Sequence, residues 1–306
     1  MLDSLARLPL EIDEVSVGRR ARPAAAGGTR RTTLVRLRAG GLEGQGENVT
    51  FQPGDSLATA DGLAALRGVR TLGDAWHRLD ALELFTRPPE HPVVRNYRRW
   101  AVEAAALDLA LRLAGLTLAE HIGRVPGPVR FVLSPAGSRI PHLPGARLKL
   151  DAAYIEPGLP VDIVDFKGTG DVRLVERALD LYPEALLEDP PVVVAGARVS
   201  RDIGIHSLDD VLRLNERPAA VNVKPARVGS LAELLRLYDG CARAGIALYG
   251  GGQHELGPGR AQIQLLAALF HPDAPNDVAP SGYNEPEPSR DLPSSPLRVS
   301  PRAGFR

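Results

Sequence analysis

Three short apolar runs between residues 161 and 202 each end in an acid, and this rhythm constrains the fold more than any other feature of the chain. They are residues 161–166 with Asp165, 185–188 with Glu188, and 198–202 with Asp202. Runs this short, bounded by Gly, Pro and charge, suit buried parallel strands. Neighbouring strands lie about 4.8 Å apart, so acids at equivalent strand ends converge. Converging carboxylates repel one another unless a cation lies among them, which points to a divalent metal.

The same texture continues on both sides. Residues 129–133, 147–150, 161–166, 185–187, 198–200, 220–223, 247–249 and 277–279 make eight candidate strands. Eight strands with crossovers predict a (β/α)8 barrel of the TIM type. Helices are predicted at 172–181, 207–215, 230–244 and 259–270. The links after the first, second and fourth strands are short and rich in Pro and Gly, so regular helices are expected to be missing there. The tail from 281 to 306 is rich in Pro, Ser and Arg and is expected to be irregular, wrapping the barrel.

Before the barrel the pattern differs. Residues 32–38 and 43–50 read as strands joined by a Gly40-Gly41 hairpin. Residues 56–84 look helical, with interruptions at Gly68 and Gly73. A long helix is predicted over 93–113, with Trp100, Ala104, Leu107 and Leu111 as its apolar stripe and an Ala-rich flank permitting close approach. The fold class is therefore α/β. An α+β capping domain is expected over 1–125, with contributions from the C-terminal tail, and a modified barrel with missing or shortened crossover helices over 126–306.

Lys plus Arg and Asp plus Glu both number 37, so formal net charge is zero. That balance argues against a nucleic-acid or anionic-membrane partner held through bulk charge. The lone Cys241 excludes an internal disulfide and fits a reducing cytoplasm. No eighteen-residue apolar run occurs, and residues 1–9 carry acid, so neither a spanning helix nor a signal peptide is expected. A cytoplasmic location is expected, and self-association into a homo-oligomer stays open.

Active sites in such barrels lie at the C-terminal strand ends. Those ends supply Lys149 and Asp151, Asp165 and Lys167, Glu188 and Asp189, Asp202, Asn222 and Lys224, and Asn276 and Asp277. The seventh strand ends in Gly250-Gly251-Gly252-Gln253-His254-Glu255. One Lys or Asp after a strand is usually a solvated loop charge. Acids on three successive strands, with lysines on the second and sixth strands across the ring, form a pattern that this reading does not explain. The Gly run is either a tight turn or a close backbone approach to a substrate carboxylate beside a helix N-terminus. It is not a P-loop, because no Gly-Lys-Ser/Thr follows. His206 and His254 read as structural or solvated, and Cys241 as core.

Residues 37–47 (LRAGGLEGQGE), 100–113 (WAVEAAALDLALRL), Leu187-Glu188-Asp189-Pro190 and Lys224-Pro225-Ala226-Arg227-Val228-Gly229 together resemble the enolase superfamily. The resemblance is to its mandelate racemase and muconate lactonizing enzyme side, with an o-succinylbenzoate synthase-like layout. It implies Mg2+ held by Asp165, Glu188 and Asp202, and Lys224 as general acid/base with Lys149 opposite. Asp151, Lys167, Asn222, Gly251, Gly252, Gln253 and Glu255 complete the expected site as substrate-binding residues. Two positions depart from the family pattern. Lys149-Leu150-Asp151 stands where Lys-x-Lys is usual, and Asp202 is followed by Ile203 rather than Glu.

The implied activity is a Mg2+-dependent lyase or isomerase removing the proton α to a small-molecule carboxylate through an enediolate. A cycloisomerase or o-succinylbenzoate synthase-like reaction ranks ahead of a racemase or epimerase, and a non-catalytic carboxylate-binding relative is the alternative of a different class. A lysine acts as base only if its pKa falls toward neutrality, which a nearby cation and partial burial favour. Specificity is expected from capping loops around 18–28 and 48–57.

Overall fold

A computed structural model describes residues 1–52, 60–135 and 145–306. Its first part is an antiparallel sheet of β1 (Glu14–Pro23), β2 (Thr29–Ala39) and β3 (Leu42–Asn48), in that order. Strand β1 was not foreseen: Arg19, Arg20 and Arg22 interrupt its apolar alternation, and its pairing with β2 over the full length of β1, from Glu14↔Arg38 to Pro23↔Thr29, holds it extended. Residues 18–23 are therefore strand rather than loop, and only 24–28 form the turn.

Helix α3 (Val94–Leu113) lies on this sheet. It is buried on nearly every side from Trp100 to Leu111, so the expected single stripe is too narrow a description. The cap strand β3 covers one face: a Cβ on Gly46 would lie 1.9 Å from the Ala101 carbonyl oxygen, so only glycine permits the approach. Short helices α1 (Leu2–Ala6) and α2 (Leu72–Ala81) flank the sheet, and α4 (Leu118–Ile122) follows α3. Gly73 lies inside α2 and does not interrupt it, because the Thr71–Asp74 capping box starts the helix just before it. The first part of the expected 56–84 helical stretch falls outside the described residues up to 59.

The second part is a parallel sheet of β4 (Val132–Leu133), β5 (Arg147–Asp151), β6 (Val161–Asp165), β7 (Leu186–Glu188), β8 (Arg198–Arg201), β9 (Ala220–Val223) and β10 (Ala247–Gly250), each hydrogen-bonded to its neighbour in chain order. The expected eighth strand at 277–279 is reduced to two single-residue bridges, Asn276 with Phe131 and Asp277 with Gly251, which link the sheet's two edges. Helix α5 (Val172–Leu181) follows β6, and α6 (Leu208–Leu212), α7 (Pro225–Val228), α8 (Leu231–Ala244) and α9 (Pro258–Phe270) complete the crossovers. As expected, the β5–β6 link holds only a 3-10 turn, Ala152–Tyr154, and the β7–β8 link holds no helix. The β4–β5 link includes residues 136–144, outside those described. The tail pairs Leu297 with Val129 and ends on the cap, where Phe305 N–H donates to Asp108 at 2.8 Å.

The Asn276 side-chain amide reinforces the bridges between the sheet's two edges. Asn276 Nδ2 donates to the carbonyls of Arg130, His271 and Ala274 at 2.9–3.0 Å, and Oδ1 accepts from Gly250 N–H at 2.7 Å. The same oxygen lies 2.6 Å from His271 Nδ1, the ring nitrogen placed to donate to it. Burial pulls the His271 imidazole down to about 4. An unfolded chain takes up that proton near pH 6.5 whereas the folded one does not, so stability falls as pH drops from about 6.5 to about 4. The loss attributable to this group approaches about 3 kcal/mol at the acid end. Urea denaturation of His271→Gln across this range is expected to show a shallower pH slope than the parent. An unchanged slope would remove His271 as the cause.

Candidate active site at the barrel mouth

Strand alternation builds the site. Val132, Ile163, Leu186, Ala220 and Tyr249 form an apolar cluster of their own. Two residues further along β6, β7 and β9 the side chains become Asp165, Glu188 and Asn222. Register pairs Asp151 with Asp165, Asp165 with Glu188, and Glu188 with Ser200. Asp202 therefore stands one pleat beyond the level of the other two acids, so their strand ends are not equivalent.

Lys149 occupies the middle of this group. Its ammonium lies 2.5 Å from Glu188, and 3.5 Å from both Asp165 and Asp277. Glu188 is 0% exposed and also accepts from Asn222 Nδ2 at 3.1 Å and from the Tyr249 hydroxyl. Burial alone would lower Lys149, but Glu188, Asp277, Asp165 and Asp202 outweigh it and hold the ammonium well above the ordinary lysine range. It is a fixed positive charge.

On the other side Asp202 accepts from Lys224 at 2.6 Å and from Arg227 at 2.7 Å. Burial works against its carboxylate, yet Lys224 and Arg227 hold it below the usual range. Asp189 is a loop tie, accepting the Asp202 N–H at 3.2 Å and the Ile203 N–H at 2.7 Å. Lys167 ion-pairs with Asp151 and lies 3.9 Å from Asp165.

A cavity of about 660 Å3 opens over these groups. Lys149, Asp151, Asp165, Lys167, Asp202 and Lys224 line its floor, with Gly252, Gln253 and Asp277 to one side. The cap supplies the roof through residues 22–26, Arg30 and Phe51. Glu188, Asn222, Gly251 and Glu255, also expected in the site, stand behind the wall. Gly251 leaves room for the Asn222 amide, whose oxygen would lie 2.3 Å from an added Cβ. Glu255 pairs with Arg260 at 3.2 Å and accepts the Gln253 N–H at 2.8 Å.

The expected substrate carboxylate beside the α9 N-terminus is displaced by a protein carboxylate. Glu47, from the end of β3, accepts the N–H groups of Leu256, Gly257 and Gly259 at 2.6, 2.9 and 3.1 Å. Arg30 adds a second tie between cap and barrel, donating to the carbonyls of Val49, Thr50, Gln253 and His254 at 2.7–3.3 Å. His254 is exposed, His206 bonds the Gly204 carbonyl at 3.0 Å, and Cys241 is buried in the core.

Four contributors were not foreseen. Arg227 had a usable signal, since it lies three residues after Lys224, one helical turn away. Tyr249 was hidden inside an apolar strand. Arg30 and Phe51 come from the cap, with no local motif to mark them.

The donor set of Asp165, Glu188 and Asp202 is what a hard divalent cation takes. Among the described residues, no three acid, imidazole or thiol side chains stand at ligand spacing. Lys149 pairs with Glu188, while Lys224 and Arg227 pair with Asp202. The donors thus fit Mg2+ in kind, and are held in ion pairs with the chain's own cations.

Residues 3–121 match the N-terminal domain, and 159–285 the C-terminal domain, of a domain family of unknown function, DUF8230. The chain is 27% identical to an o-succinylbenzoate synthase of Bacillus subtilis (strain 168), over 59% of this chain and 58% of that one. It thus spans less than two thirds of that relative's length. It is 30% identical to an N-succinylamino acid racemase of Amycolatopsis sp, over 59% of this chain and 60% of the other. Among solved structures, an enolase superfamily member from Listeria innocua Clip11262 superposes with a TM-score of 0.71 at 19% identity, covering 97% of this chain and 94% of that one.

Proposed function

We propose, from the premise that this chain has the enolase-superfamily fold, that it is an enzyme removing the proton α to a substrate carboxylate. The observation that carries the reading is the floor of the cavity. There, Asp165 ends β6 and Asp202 follows β8, with Glu188 at the end of β7 just behind them, and Lys149 and Lys224 reach these acids from β5 and from just beyond β9.

Lys224 is the acid/base. Asp202 holds its side chain at the mouth, and Arg227 shares that carboxylate, so the ammonium is positioned from below and its Nζ is presented to the cavity. Lys149 moves no proton; its ammonium pairs with Glu188 at 2.5 Å and lies 3.5 Å from Asp165. Mg2+, held by Asp165, Glu188 and Asp202, would supply the positive charge that a carboxylate needs as its α-proton leaves. Residues 22–26 and Phe51 form the side of the cavity that the cap contributes.

A cycloisomerase or o-succinylbenzoate synthase-like reaction fits one mobile lysine better than racemisation does, because Asp151 rather than a lysine ends β5. The racemase relative keeps racemisation as the second reading. A thermal melt titrated with Mg2+ tests the metal. The melting temperature is expected to rise with Mg2+, and Glu188→Gln to abolish the rise. A melt insensitive to Mg2+ would sink the metal assignment.

A further inference from the structure

Tyr249 is rooted in the apolar layer beneath the acids, beside Val132, Ile163, Leu186 and Ala220. It is 0% exposed, and its hydroxyl reaches out of that layer to Glu188. A phenylalanine would fill the same space, and a buried hydroxyl is costly unless it is bonded. This one is bonded twice, donating to Glu188 Oε2 and lying 3.0 Å from Ser200 Oγ. Tyr249, Ser200, Asn222 and Glu188 all stand behind the residues that line the cavity. Tyr249 therefore acts on the cavity's contents only through Glu188.

The hydrogen bonds of Glu188 divide unevenly between its two oxygens. A carboxylate oxygen presents two lone pairs. On Oε2 both are taken, by the Tyr249 hydroxyl and by Asn222 Nδ2 at 3.1 Å. These two donors are neutral, buried and fixed from β10 and β9. Oε1 carries Lys149 Nζ at 2.5 Å, its one hydrogen-bond partner among the described residues.

A cation that displaces Lys149 thus meets one open oxygen of Glu188, not two. That difference matters to the choice of cation. Mg2+ demands octahedral geometry at about 2.0–2.1 Å and takes few carboxylates, whereas the larger Ca2+ gathers 6–8 oxygens and accepts a carboxylate through both of its oxygens.

We infer that Tyr249, together with Asn222, is a positioning residue that restricts Glu188 to one-oxygen ligation and so biases the site toward Mg2+ over Ca2+. This rests on the reading of Asp165, Glu188 and Asp202 as a divalent-cation site.

Calorimetric titration of the metal-free protein with Mg2+ and with Ca2+ is the test, and it needs neither substrate nor turnover. The quantity read is the ratio of the two dissociation constants. A Glu188 that has lost a donor holds both cations more tightly, while a second free oxygen favours Ca2+ in particular. Tyr249→Phe keeps the ring and removes the donor. Its ratio is expected to move toward Ca2+ by about tenfold, the factor for one hydrogen bond to a charged group. Asn222→Ala removes the other donor and is expected to move the ratio in the same direction. Ser200→Ala leaves both donors on Oε2 and is expected to keep the parent's ratio.

A Tyr249 that only fills the barrel interior would lower the melting temperature on substitution and leave the ratio alone. An unchanged ratio in Tyr249→Phe and Asn222→Ala would therefore overturn the inference, and Asn222→Ala decides if Tyr249→Phe does not fold. An equal shift in Ser200→Ala would also overturn it, because that marks a loosened interior. A parent that binds neither cation would overturn the metal reading and this inference with it. If the ratios shift as stated while no α-proton exchanges, the proposed reaction fails and the role of Tyr249 stands.

Discussion

Lys224→Ala is expected to fold normally and to lose at least about two decades of turnover on its α-proton acid substrate, the usual scale for a missing acid/base. The two effects separate for a structural reason. Asp202, the acid that Lys224 serves, keeps Arg227 at 2.7 Å, so alanine leaves no uncompensated carboxylate there. Helix α7 and its start at Pro225 do not depend on the ammonium. A purely structural lysine would instead lower the melting temperature and alter activity little. Steady-state kinetics with a parallel melt decide between these outcomes, and near-native turnover would remove Lys224 from the chemistry.

Lys149→Met is expected to do the reverse and damage the fold first. Removing one partner of a buried pair strands the other, at a cost of about 3–5 kcal/mol. Here the stranded group is Glu188, 0% exposed and beside Asp165. Burial pushes the Glu188 carboxyl above its usual range even with Lys149 present. An acid whose folded pKa is raised binds more protons folded than unfolded, so its penalty is present at high pH and relieved as pH falls through the raised value. The deficit of Lys149→Met is therefore expected to be largest near pH 7 and smaller near pH 5. Urea denaturation at both values measures it. A change below about 1 kcal/mol at both would contradict the buried-charge account.

These two lysines show what the sequence could reveal. The strand-end acids and the short apolar runs were legible because buried parallel strands announce themselves by length and apolar content. The β7 motif around Glu188 and the β9 motif around Lys224 fell where expected, and α5 matched its predicted bounds. The missing helices after β5 and β7 followed from short links rich in Pro and Gly. Relative height was not legible: a one-pleat offset places Asp202 past Ser200, and only pairing reveals it. Nor was the identity of a carboxylate's partner legible. The α9 N-terminus looked available to a ligand because nothing in residues 250–259 shows that Glu47, some two hundred residues earlier, already fills it. Strand β1 was invisible for a related reason, since its arginines make sense only against β2. Long-range contacts decide such points, and they leave no local pattern.

Proton NMR in D2O tests the central claim most directly. The protein with Mg2+ is incubated with a panel of carboxylic acids each carrying one α-proton, N-succinylphenylalanine among them. Deuterium is expected to replace the α-proton of at least one acid, at a rate that Lys224→Ala lowers by about a hundredfold or more. Exchange that continues undiminished in Lys224→Ala, or a parent protein that binds these acids and exchanges none, would contradict it.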